Sequence, residues 1–183
     1  MLTTPELMRA SHVKRWQIVL TSRPQSLAEH SFNVAMLAQS IAMRCEDAFL
    51  SSEQMFELVN WALLHDIIEI RTGDLATPFK DKLRKIGGDD ILDRAESDFD
   101  LGYSTLKQKY KGTQIEAIVK CADMVDAIYF LGESGLSQQS VRVEWQLRKE
   151  LQDMLNRYTV AFPALDLNTH VNDILTELDY EVY

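Results

Sequence analysis

Apolar residues recur along this chain with the 3.6-residue period of an α-helix, from about residue 26 almost to its end. Val34, Leu37, Ala38, Ile41, Ala42 and Cys45 follow at alternating steps of three and one, which predicts one buried face on a helix starting near Ser26. His30 falls one turn before Val34 on that face. Ser51-Ser52-Glu53 combines a serine cap with an early acid and predicts a second helix, with Met55, Val59, Ala62 and Leu63 turned inward. That helix is expected to run through His65-Asp66 and to stop near Arg71-Thr72-Gly73, with Gly73 as terminator.

The pattern then becomes more polar. Residues Thr72 to Pro78 read as a turn and a short connection, with Pro78 marking a break. Gly87-Gly88-Asp89-Asp90 reads as a loop that starts a polar helix reaching about Lys109. Thr113-Gln114-Ile115-Glu116 predicts a capping box for a helix carrying Ile118, Val119, Ala122, Val125, Ala127 and Ile128, which the stretch from Gly132 to Gly135 breaks. Two more helices are expected, from Ser137 to about Thr159 and, after Pro163, from about Asn168 to Leu178. No internal repeat, low-complexity tract or long linker divides the chain, so residues 1–183 read as a single domain and a compact all-α bundle.

Composition narrows the function. The 183 residues can bury a continuous core, and 46% hydrophobic with 26% charged residues is ordinary for a globular protein. Seven glycines and four prolines suit long helices better than turn-rich β structure. A net charge of −9 argues against a duplex nucleic-acid partner, although a bound cation and a few local bases can still attract a small anion. Cys45 and Cys121 lack metal-ligand spacing and read as buried free thiols, which fits a reducing cytoplasm. The N-terminal residues show no signal-peptide pattern, and no apolar run reaches the ~20 residues of a membrane span. A cytoplasmic protein without a membrane partner is expected.

Against that background four residues stand out. His30, His65, Asp66 and Asp123 come from three predicted helices, each in an otherwise apolar setting where an unpartnered polar group would be costly. Two imidazoles and two carboxylates suit a divalent ion such as Co, Mn, Zn, Fe or Mg, with positions left for water and substrate. Such an ion lowers the pKa of water from 15.7 towards about 7. Glu69 lies four residues after His65 and three after Asp66, and shares their face if the helix continues. A carboxylate there could orient water or accept its proton. Asp74 reads equally as a turn cap or as a group that assists a leaving oxygen.

Cations and an aromatic complete the set. Arg15 offers a planar fork for phosphate, Trp16 a wall for a base, and Arg23 and Lys80 further positive charge. The same residues also suit a surface pair beside a core tryptophan. Lys120 stands one turn before Asp123 and is placed either to meet phosphate or to pair with that carboxylate.

The series His30, His65-Asp66, Asp123 resembles the HD-domain metal-dependent phosphohydrolases. Arg15-Trp16, Ala28-Glu29-His30-Ser31, His65-Asp66-Ile67-Ile68-Glu69, Thr72-Gly73-Asp74-Leu75-Ala76-Thr77-Pro78 and Lys120-Cys121-Ala122-Asp123 are similar to the bacterial HD-domain 5′-deoxyribonucleotidases. The short length and Val13-Lys14-Arg15-Trp16-Gln17-Ile18 also resemble the small phage dATP triphosphohydrolases. The resemblance implies an HD helical bundle in which His30, His65, Asp66 and Asp123 hold the metal. It implies that Glu69 and Asp74 serve catalysis and that Arg15, Lys80 and Lys120 hold phosphate. Trp16, Ile18 and Pro78 would shape a purine pocket. The chain departs from the nucleotidase pattern at Ala76, where proline is common.

The expectation is therefore a metal-dependent phosphohydrolase of deoxynucleotides, a homo-oligomer acting on dATP. The alternatives are a 5′-deoxyribonucleotidase of monophosphates, an HD-type phosphodiesterase or 3′ exonuclease, and a nucleotide sensor that binds without turnover.

Overall fold

The structure, a computed structural model, describes residues 2–45 and 51–180. Met1, part of the N-terminal pattern, lies outside them. The helices in chain order are α1 (Thr4–Leu7), α2 (Leu27–Arg44), α3 (Ser52–Leu64), α4 (Glu69–Thr72) and α5 (Thr77–Gly87). They continue with α6 (Ile91–Phe99), α7 (Leu101–Tyr110), α8 (Gln114–Ser134), α9 (Gln138–Ala161) and α10 (Leu167–Tyr180). Short 3-10 turns cover Met8–His12 and Pro163–Leu165. Among the described residues there is no strand, only isolated antiparallel bridges from Lys14 to Ser26 and from Thr21 to Gly135.

The central element is α8, which buries residues around most of its circumference and packs against α2, α3, α9 and α10. A helix apolar on all sides is stable only when surrounded in this way. Its start is fixed locally, because the Thr113 hydroxyl accepts the Glu116 N–H at 3.3 Å. Beside it, α2 begins where Ser26 accepts the Glu29 N–H at 3.1 Å and presents Leu27, Val34, Ala38 and Ile41 inward. A fully buried side chain of this size contributes about 1.5–3 kcal/mol. Ser51 and Gln54 close a capping box on α3, whose Leu58, Trp61 and Ala62 complete the core. Cys45 and Cys121 are buried free thiols, as expected.

Several expectations change. The second helix ends at Leu64 rather than near Thr72, because His65 Nδ1 lies 2.7 Å from the Ala62 carbonyl. That is the acceptor a continuing helix would offer to the Asp66 N–H. Tight turns follow, including Ile67 N–H to Leu64 O and Glu69 N–H to Asp66 O, before α4 begins. Gly73 does terminate this region, at φ 71°. Leu63 faces outward, 40% exposed. Pro78 starts α5 instead of breaking the chain, since a helix's first turn has no use for its missing N–H. The expected polar helix is two, divided where Asp100 is extended and accepts the Tyr103 N–H to cap α7. Helix α8 runs through Gly132 and stops at Gly135. The periodicity did not anticipate α1 or α5.

Candidate metal centre and nucleotide cavity

His30 comes from the first turns of α2, Asp123 from the middle of α8, and His65 and Asp66 from the turn after α3. Packing α8 against α2 and α3 brings the three segments to one point, where one donor atom from each of the four residues lies within 4.8 Å of the others. His30 Nε2 is 3.3 Å from His65 Nε2 and from Asp123 Oδ1, and 3.6 Å from Asp66 Oδ2. His65 Nε2 is 3.5 Å from Asp66 Oδ2. Ligands held about 2.1 Å from one ion at ordinary coordination angles stand roughly 3.0–3.4 Å apart, so the donor set and its spacing both fit a divalent cation.

The imidazoles are aimed by their other nitrogens. His65 Nδ1 faces the Ala62 carbonyl, which can only accept, so Nε2 is left for the cluster. His30 Nδ1 lies 2.7 Å from Asp126 Oδ2, and His30 is completely buried. Burial and the Arg15 charge push the His30 pKa down, but hydrogen bonds to Asp123, Asp126 and Asp66 outweigh them and raise it to about 10. An imidazole that basic marks a concentration of negative charge. Burial opposes ionisation of Asp66, yet His65, His30 and Arg15 hold its pKa well below the usual range. Asp123 is lowered for similar reasons, its hydrogen bond to His30 chief among them, again against burial.

Glu69 lies next to this centre despite the interrupted helix. Burial, then the Asp66 charge, push its pKa up to about 8, with Lys80 and Arg15 acting in the opposite direction. Lys80 Nζ is 3.3 Å from Glu69 Oε1, while the buried Oε2 has no protein partner. Arg15 bridges the cluster carboxylates, with Nη1 at 3.2 Å from Asp66 and Nη2 at 3.9 Å from Asp123.

Two cavities meet here. One, of about 490 Å³, is lined by Arg15, Trp16, Ile18, Asp74, Pro78 and Lys80 together with Asp66, Glu69 and Asp123. The other, of about 390 Å³, shares Asp66, Glu69, Lys80 and Asp123 and extends past Arg84, Lys107 and Lys120. The Trp16 ring stacks on Phe130 at 6.1 Å and 8°. Ile18 and Pro78 are exposed at the rim of the first cavity. Lys120 lies only on the second, and its ion pair is with Glu116 at 2.8 Å rather than with Asp123. Arg23 stays outside both, paired with Glu29 and lying over Phe130. Ala76 has φ −56° and ψ 136°, a backbone proline also adopts, so the departure from the nucleotidase pattern leaves the loop shape intact.

Reading by residue type missed the layer beneath the cluster. Asp126 was legible as an acid in the apolar run Met124 to Ile128, one turn after Asp123. Gln25, Asn33 and Phe130 carried no comparable signal.

Comparison with known proteins agrees with this geometry. The family described as 5′-deoxynucleotidase YfbR-like matches residues 5–162. A dATP triphosphohydrolase of Salmonella phage PMBT28 is 38% identical, over 96% of this chain and 91% of its own. A 5′-deoxynucleotidase of Shewanella oneidensis is 30% identical, over 66% of this chain and 68% of its own. The solved HD phosphohydrolase of Cyanophage S-2L, bound to dA and one catalytic Zn2+ ion, superposes with a TM-score of 0.81 at 26% identity, covering 97% of this chain and 98% of that one.

Proposed function

The chain belongs to the YfbR-like 5′-deoxynucleotidase family of HD phosphohydrolases, and from that premise we propose that it hydrolyses dATP to deoxyadenosine and triphosphate. The observation that carries the reading is the convergence of His30, His65, Asp66 and Asp123 within 4.8 Å, in a chain 38% identical to a phage dATP triphosphohydrolase. These four residues hold one divalent ion, whose Lewis acidity towards water and a phosphoryl oxygen is the chemistry it supplies.

The chain's own groups do the rest. Glu69, whose buried Oε2 has no protein partner, orients the attacking water and takes its proton. As water oxygen bonds to the α-phosphorus, the bond to the 5′ oxygen breaks, and the proton Glu69 has taken passes to the departing 5′ oxygen with Asp74 assisting beside it. Arg15 and Lys80 hold phosphate oxygens, while Trp16, Ile18 and Pro78 hold the purine. The preference for a triphosphate rests on the 38% identity to a phage dATP triphosphohydrolase. Hydrolysis of dAMP is the second reading, supported by the 5′-deoxynucleotidase relatives.

No helix among the described residues is long and apolar enough to cross a membrane. We place this single-domain enzyme in the cytoplasm, where its buried free thiols are at home, as a homo-oligomer drawing on a nucleotide pool. Turnover of deoxy- and ribonucleotides as mono-, di- and triphosphates, each with Zn, Co, Mn or Mg, tests the substrate. Release of intact triphosphate from dATP is expected. Turnover confined to dAMP would replace the proposal with the second reading.

A further inference from the structure

Trp16 and the metal cluster are joined by a continuous chain of hydrogen bonds, buried from Gln25 to His30. The Trp16 indole Nε1–H donates to Gln25 Oε1 at 2.9 Å, and Gln25 Nε2 donates to Asp126 Oδ2 at 2.8 Å. The same Asp126 oxygen is 2.7 Å from His30 Nδ1, and Asn33 Nδ2 donates to Oδ1 at 2.8 Å. Gln25 is wholly buried and both ends of its amide are used. Its backbone carbonyl accepts the Arg15 N–H at 2.9 Å, so one residue grips both members of the Arg15-Trp16 pair. Trp16 needs that grip because its φ of 64° lies in the left-handed region, which is strained for a bulky side chain and persists only when neighbours over-determine it.

The direction of the chain follows from chemistry. An indole N–H can only donate, so the Gln25 oxygen faces Trp16 and its amide nitrogen faces Asp126. A carboxylate that accepts from Gln25 and Asn33 then accepts from His30 Nδ1 as well, which turns Nε2 towards the cluster.

We propose that Gln25 is a positioning residue that couples the wall of the base pocket to the ligand orientation of His30, so that the Trp16 N–H influences ion affinity without touching any of the four ligands. This rests on the proposed roles of His30 and Trp16. Removing a hydrogen-bond partner behind a metal ligand typically lowers ion affinity about 10–100-fold, and a group one link further back should act more weakly.

The test is zinc titration calorimetry on metal-stripped protein, with circular dichroism to verify folding. Wild-type protein that binds no zinc would remove the underlying metal-site reading, a failure distinct from that of the coupling. Trp16→Phe keeps an aromatic ring while removing the N–H together with the pyrrole half of the indole, and is expected to weaken zinc binding about 3–10-fold. Gln25→Met is expected to weaken it by about tenfold, and the double variant no more than Gln25→Met alone. Should Gln25→Met misfold, Gln25→Glu retains the shape while placing an acceptor against Asp126, and the same non-additivity with Trp16→Phe is expected. Zinc affinity of Trp16→Phe within twofold of wild type, or strictly additive losses, would overturn the coupling.

Discussion

The floor and the roof of the candidate site are built by opposite means. The floor is the packing of α2 against α8, where Leu27, Val34, Ala38, Ile118, Ala122 and Val125 are buried and even the polar groups His30, Gln25 and Asp126 satisfy one another. The roof and far wall come from α5 and α6, which bury no residue and leave Phe79, Ile86 and Phe99 about half exposed or more. Ion pairs hold this part instead: Lys80 to Glu69, and Lys107 to Asp93 at 2.9 Å and Glu96 at 2.6 Å. His30 and Asp123 thus rest on well-packed helices and His65 and Asp66 on the turn after α3, while Pro78 and Lys80 ride on an element that buries no residue. Under the proposed function, that division would keep the metal-holding groups fixed and still admit a nucleotide.

Asp66→Ala is the most severe way to probe the floor. Hydrolysis should fall by at least about a thousandfold, reflecting several kcal/mol of lost charge stabilisation, and zinc binding should disappear. Helical content by circular dichroism should stay near wild type, because the half-exposed Asp66 contributes nothing to the apolar core. Undiminished turnover after metal removal would refute the floor's catalytic role.

Lys80→Ala probes the link between the two regions. The lysine lowers the Glu69 pKa, so its loss should move that pKa above about 8. The acid limb of the rate profile should then move to higher pH. At a fixed pH on that limb, the ionised fraction of the base falls about tenfold for every pH unit the limb moves. An unmoved limb in a pH series would mean that Glu69 is not the group being titrated.

Lys107→Met loosens the roof alone. Stability should fall by about 1 kcal/mol or less, some 2–4 °C in Tm. Hydrogen exchange should accelerate in α5 and α6 and remain unchanged in α2 and α8. Equal acceleration everywhere would erase the contrast between the two regions.

The smallest effect is expected at the edge of the fold, where Glu6 hydrogen-bonds Arg71 and ties α1 to α4. Arg71, with Thr3, lowers the Glu6 pKa from 4.5 to about 2. A depressed carboxylate stabilises the folded state above pH 4.5 and loses that contribution as pH falls through 2. The Tm difference between wild type and Glu6→Gln should therefore be constant near neutrality and vanish below about pH 2. A difference that persists at lower pH would assign the effect to packing.

Much of this was legible along the chain. The apolar period located α2, α8, α9 and α10 and the start of α3 to within a few residues, since each has a face that must be buried. His30, His65, Asp66 and Asp123 were conspicuous as polar groups on such faces. By contrast, α5 was hidden because Pro78 resembles a breaker until its position in the first turn is known. The break at Asp100 was hidden because a polar helix has no strong period to interrupt. Lys120 was assigned a choice between phosphate and Asp123, and the structure pairs it with Glu116 rather than with Asp123.

By itself, then, the sequence determined where the helices with an apolar face lie and which side chains are able to ligate an ion, because both depend on local spacing and residue chemistry. Only the tertiary structure decided that His30 is backed by Asp126, which also takes the Gln25 amide, that Gln25 clamps Trp16, and that two cavities meet over Asp66, Glu69, Leu75, Lys80 and Asp123. Those relations join residues up to 101 positions apart. They arise from the way three helices pack, and no local period encodes the point at which separate side chains converge.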